Sequence, residues 1–230
     1  MVYLVLYLVG ALLFVNGMIC AGVITAFSPV AGAPNIGILT LGFSASGVAD
    51  LNLIIGAIMV ILAILIIAMD TYKGFGDTVS AVVSSAVLTF AIAYLLLGFG
   101  LFNMYNPEYA ALAKAAVTAG AKPNPFVGFA AFQPLGWYSL PMSVFVFICG
   151  LGYFHIFGSH LPKVPQFGLL WISYAIAFFL FFWVFGLGNF SALTFTGWYC
   201  VAISIVTIAY PALAYFNAGA VGVWYRSTPV

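Results

Sequence analysis

The chain is nearly without charge. Its 230 residues hold five Lys or Arg and four Asp or Glu, which is 4% of the total. A water-soluble domain carries about 25%. A surface facing water on all sides cannot be made from so few charges. The residues that would cover it are the hydrophobic 66% of the chain, and these need lipid. The formal net charge of +1 offers no basic footprint for nucleic acid. No long polar or low-complexity tract interrupts the pattern.

A helix that crosses a bilayer needs about 20 mainly apolar residues. Such runs occur at about Val2–Phe27, Leu51–Met69 (with room to start earlier), Ser80–Phe102, Gly136–Phe157, Phe167–Gly186 and Trp198–Phe216. None alternates with period two, which excludes a β-barrel. The expectation is a single all-α domain over residues 1–230, a bundle of six transmembrane helices. The first run has no Lys or Arg ahead of it, unlike a secretory leader, so it reads as a retained helix. The longest connection, about 103–135, holds most of the polar residues, and its Ala-rich part, Ala110–Ala121, suits a short surface helix.

Part of this pattern repeats. Phe99-Gly100-Leu101-Phe102-Asn103 ends the third run and Phe185-Gly186-Leu187-Gly188-Asn189 the fifth. Gly136-Trp137-Tyr138 opens the fourth and Gly197-Trp198-Tyr199 the sixth. Runs three-four and five-six therefore read as two copies of one helical hairpin. Phe14-Val15-Asn16-Gly17 is the trace of a third. An even number of helices puts both termini on one side. Lys73, Lys163 and Arg226 on that side against Lys114 and Lys122 on the other leave the orientation open.

Little here suits catalysis. His155 and His160 are five apart and do not share a helix face. His155 is expected as a hydrogen-bonded group within the bundle and His160 as a loop residue. Cys20, Cys149 and Cys200 are scattered in apolar runs and read as buried thiols. No metal-ligand spacing, nucleophile-base set or phosphate loop is present. The expectation is no enzyme, no metal and no cofactor. The spans also lack the ionisable residues that ion-coupled carriers place in the membrane. That favours a neutral solute, or no transport.

What the spans do carry is rings and small polar groups. Phe167, Trp171, Tyr174 and Phe178 follow helical spacing and form one stripe, with Phe179, Phe182 and Trp183 on other faces. Asn16, Ser139, Ser173, Tyr174 and Ser204 are candidate hydrogen-bonding points along a greasy path. A slot of flat rings with a few such points suits a small planar uncharged molecule. The same stripe also suits packing against helices or lipid. Trp137, Tyr138, Trp198 and Tyr199, near helix ends, suit a pore mouth or an interfacial belt.

The opening MVYLVLYLVGALLFVNG resembles that of the urea channel and amide transporter family (AmiS/UreI), which tends toward LVLLYVGxVLxxNG. Leu4, Val5, Leu6, Val9, Gly10, Leu13, Asn16 and Gly17 match without a gap. Gly136-Trp137-Tyr138-Ser139-Leu140 is similar to the family's SWYSL. The family's fifth helix has tryptophans at positions aligned with Phe167, Trp171, Tyr174 and Phe178, all aromatic here. Trp198, Thr207 and Pro211-Ala212 match in the sixth helix. The resemblance implies three hairpins per protomer with termini outside, in a hexameric ring in the cell (inner or plasma) membrane. It implies a pore within each protomer that passes urea or short amides passively. Leu6, Leu13, Asn16, Trp171, Tyr174 and Phe178 would line it.

The chain departs from the family in places. Asp70–Thr78 has no His, so acid gating is not supported. A family glutamate aligns with Ile203, a family tyrosine with Leu96, and the 103–135 loop is longer. These departures keep open an alternative, a non-conducting accessory subunit of a larger membrane complex.

Overall fold

A computed structural model describes residues 2–21, 45–69, 79–104, 131–156 and 165–216. The charged loop residues, His160, Ala110–Ala121 and residues 105–130 of the 103–135 connection lie outside these residues. So does the proposed end of the first span beyond Ala21.

The described residues form helices and turns without strands. The helices are α1 (Val2–Cys20), α2 (Ala45–Ala68), α3 (Val79–Met104), α4 (Gln133–Gly152), α5 (Pro165–Phe181) and α6 (Leu193–Phe216). In lipid a helix satisfies its own backbone, which is why such apolar runs take no other form. α2 to α6, with their flanking turns, are long and apolar enough to cross a bilayer, and α1 is a somewhat shorter apolar helix. The chain is an all-α, multi-pass membrane bundle.

Helix ends follow local chemistry. α4 starts three residues earlier than expected, after Phe132, with a proline in its first turn, where the missing N–H costs nothing. It stops at Gly152 rather than Phe157. The turn that follows puts His155 in the left-handed region at φ 59°. His155 is exposed there, not inside the bundle as expected. α5 runs into a π-helical turn, Phe182–Gly186. A short 3₁₀ turn, Phe190–Ala192, then leads into α6.

The helices pack most extensively as α2 with α3, α4 with α5, and α1 with α6. The hairpins read from the repeat, α3–α4 and α5–α6, touch more sparsely. The repeated motifs sit at the seams between hairpins. A Cβ on Gly136, in the first turn of α4, would run into the backbone of Gly186 in the π-helical turn after α5. A Cβ on Gly197 in α6 would lie 2.6 Å from the Gly17 carbonyl of α1. Both copies of the GWY motif thus spend their glycine on close backbone approach, the usual driver of helix association in lipid. Their tyrosines act alike as well. The Tyr138 hydroxyl donates to the Thr89 carbonyl and that of Tyr199 to the Ser173 carbonyl, each at 3.2 Å on the preceding helix.

The odd-numbered helices are central. The α3 span is 61% buried, the α2 span 28%. Ile54, Ile58, Ile61 and Ile64 of α2 face outward. Among the described residues, no buried side-chain nitrogen or oxygen lacks a hydrogen-bond partner.

Candidate functional site

Three cavities follow one another between α1, α3 and α5. The first, about 50 Å³, is bounded by Leu6 and Val9 of α1, Val87 and Phe90 of α3, and Trp171 and Tyr174 of α5. The second, about 20 Å³, lies between Leu13, Phe90, Tyr94, Tyr174 and Phe178. The third, about 30 Å³, is bounded by Asn16, Ile19, Leu97, Leu101 and Phe185. Residue numbers rise from one cavity to the next on all three helices. α1, α3 and α5 therefore run in the same direction around one line of cavities. A water molecule needs roughly 10–15 Å³ by this measure, so each cavity has room for one.

Phe90 and Tyr174 border both the first and the second cavity. The Phe90 ring stands edge-on to Tyr174, with centroids 4.9 Å apart, and tilted against Phe178 at 5.4 Å. This aromatic cluster separates the two spaces. Toward the first cavity's other end Trp171 lies 5.9 Å from Tyr153 and 6.1 Å from Phe167. Edge and tilted contacts of this kind fix ring orientation as well as burying area.

Polar groups along the line are few, and most are already engaged. The Thr207 hydroxyl donates to the Ile203 carbonyl at 2.8 Å. Its only proton is used there, so the 2.7 Å contact with Tyr174 is a bond donated by the tyrosine. The Tyr94 hydroxyl donates to the Val9 carbonyl at 2.8 Å. Both phenolic oxygens keep lone pairs that can accept a further N–H. Trp171, whose indole nitrogen is a donor, borders the first cavity. Asn16 pairs with Asn52 of α2, its Nδ2 donating to Asn52 Oδ1 at 2.8 Å and its Oδ1 accepting from Asn52 Nδ2 at 3.0 Å. Among the described residues, no Asp, Glu, His, Lys or Arg borders any of the three cavities.

The six residues Leu6, Leu13, Asn16, Trp171, Tyr174 and Phe178 all border this line, and all are buried. Three other candidates do not contribute a free polar group. Ser139 donates to the Leu135 carbonyl, Ser173 to that of Leu169 and Ser204 to that of Val201, each within its own helix. A hydroxyl in a lipid-embedded helix finds such a carbonyl one turn back. Trp137 and Trp198 are about half exposed on the outer surface and border none of these cavities. Trp137 packs on Phe182 at 5.3 Å. Tyr138 is tied to α3 as described.

Sequence reasoning missed Phe90, Tyr94 and Asn52. The alignment that put a leucine, Leu96, in place of a tyrosine on the third helix overlooked Tyr94 two residues earlier, which does border the second cavity. For Asn52 a signal existed: it is an amide within the most apolar span, toward its start.

Residues 123–218, covering α4 to α6, match the AmiS/UreI family transporter model. Over 204 residues the chain is 27% identical to a putative transporter protein, AmiS2, of Rhodococcus erythropolis, covering 89% of this chain and 73% of that protein. It is 25% identical over 208 residues to a putative amidate substrates transporter protein of Mycolicibacterium smegmatis, covering 90% and 72%. No solved structure matches.

Proposed function

We propose that the chain is a member of the AmiS/UreI transporter family and acts as a passive channel for small uncharged amides. Short aliphatic amides are its solutes ahead of urea, and the line of cavities between α1, α3 and α5 is its path. The observation that carries this reading is the chemistry of that line. Its described walls are apolar and aromatic, with no Asp, Glu, His, Lys or Arg among the described residues, and its few polar groups suit an amide. A carboxamide brings N–H groups for the spare lone pairs of Tyr174 and Tyr94. Its carbonyl can accept from the Trp171 indole or the Asn16 amide. An ion entering the same walls would lose its hydration without compensation. Urea presents more polar surface than acetamide for the same few partners, so the apolar walls favour the aliphatic amide.

The relatives' names support the solute class: one is described as a transporter of amidate substrates. Passage requires the Phe90, Tyr174 and Phe178 rings to give way, a side-chain motion of the kind that gates narrow pores. Copies assemble in a ring in the cell membrane, each with its own path, and the outward apolar faces of α2, α4 and α6 meet lipid or a neighbouring copy.

The test is stopped-flow light scattering on proteoliposomes with imposed gradients of urea, acetamide and propionamide. The expected result is flux proportional to the gradient, fastest for acetamide, with no need of an ion gradient. Flux that requires a proton or sodium gradient would contradict the passive mechanism. No flux above empty liposomes from folded protein would favour the accessory-subunit reading.

A further inference from the structure

Asn52 is fully buried in α2, the most apolar span, and does not border the third cavity itself. Its amide is held from two directions. Nδ2 donates to the Val48 carbonyl one turn back at 2.9 Å and to Asn16 Oδ1 at 3.0 Å, while Oδ1 accepts from Asn16 Nδ2 at 2.8 Å. Both N–H groups of Asn52 are therefore spent. Asn16 spends one N–H and one lone pair, and a primary amide has two of each. Asn16 does border the third cavity, beside Ile19, Leu97, Leu101 and Phe185.

We propose that Asn52 is a positioning residue that locks the Asn16 amide with its second N–H presented to the third cavity, making that cavity a recognition point for the carbonyl oxygen of a small amide. This rests on the channel reading above. Without Asn52, the Asn16 amide would turn to a carbonyl of its own helix, as Ser139 and Ser173 do. The reciprocal pair removes that option before the solute arrives, so no rearrangement is needed on binding. The apolar walls around Asn16 strengthen a bond made there and penalise a solute that cannot make it.

The test compares acetamide with ethylene glycol, a solute of similar size that has hydroxyls but no carbonyl. Both fluxes are measured by light scattering on proteoliposomes of the full chain. Asn52→Leu is expected to lower the acetamide-to-glycol flux ratio several-fold, up to about tenfold, the scale of one hydrogen bond. Because Asn52 acts through Asn16, the double variant Asn16→Leu/Asn52→Leu is expected to lose the same preference and no more. It removes both amides together, so it carries the test if the single variant does not insert. An unchanged ratio in the double variant overturns the proposal. So does a double loss well beyond that of an inserted Asn52→Leu. Wild-type protein that passes acetamide with a ratio untouched by either variant overturns this inference alone. Wild-type protein that passes neither solute overturns the channel reading and this one with it.

Discussion

The odd and even helices of this bundle are equally apolar to a casual reading, yet they do different work. α1, α3 and α5 run in one direction around the cavities and put Trp171, Tyr174 and Phe90 inside, each less than a tenth exposed. α2, α4 and α6 turn Ile58, Trp137 and Trp198 outward, at 41%, 54% and 52% exposure. The difference is one of position. Trp171 of α5 borders a cavity, and the tryptophans of the repeated GWY motif lie on the outer surface. Polar side chains divide the same way. On even helices their bonds brace neighbouring elements, as with Tyr138, Tyr199 and Asn52. On odd helices Tyr174 and Asn16 make such bonds and also border the cavities.

The comparison can be broken first at its seams. Gly136→Val, at the α4–α5 contact, forces a side chain against the Gly186 backbone. Overpacking usually costs about 1–3 kcal/mol, and a clash with backbone cannot be relieved by a rotamer change. The yield of monodisperse protein in detergent is expected to collapse; normal yield would mean the seam is looser than described. Next comes the pair of tryptophans. Trp171→Ala is expected to raise the flux of larger amides such as propionamide relative to acetamide, while Trp198→Ala leaves that ratio unchanged. Equal effects from both would erase the distinction between inner and outer helices.

Smaller effects sharpen it. Tyr174→Phe removes the bond to Thr207 and an acceptor on the path. It should lower thermal stability by about 0.5–1.5 kcal/mol and reduce acetamide flux, whereas wild-type stability with wild-type flux would place the hydroxyl off the path. Ile58→Ala, on the outer face of α2, should leave flux unchanged. The smallest expected effect is that of pH. With no Asp, Glu, His, Lys or Arg among the described residues on the cavities, amide flux should be the same at about pH 5 and pH 8, the range over which histidine titrates. A step in flux across that range would implicate a titrating group elsewhere in the chain.

Much of the framework was legible because membrane spans are written in local composition. The helices fall where the apolar runs lie, and their ends move by a few residues for local reasons, such as the proline in the first turn of α4 and the left-handed turn at His155. The glycines of the repeat could be found by pattern, but not what they meet. Gly197 approaches Gly17 across nearly the whole chain, and no periodicity encodes that. Asn16 stood out as a costly amide, while its partner 36 residues away did not. Ser139 and Ser204 looked like equal candidates on paper. Which way a hydroxyl turns is settled by the carbonyl one turn back, and in both cases that carbonyl took it.

The most direct test of the central claim is thiol blocking on either side of the odd–even divide. In a background with Cys20, Cys149 and Cys200 replaced by alanine, single cysteines would be placed at Leu6, Leu13 and Leu97 on the cavities and at Ile54, Ile61 and Ile64 on the outer face of α2. Acetamide flux would be recorded before and after a small water-soluble mercurial. The account predicts block at the first three positions and none at the last three. Block at the α2 positions, with flux untouched at Leu6, Leu13 and Leu97, would contradict it.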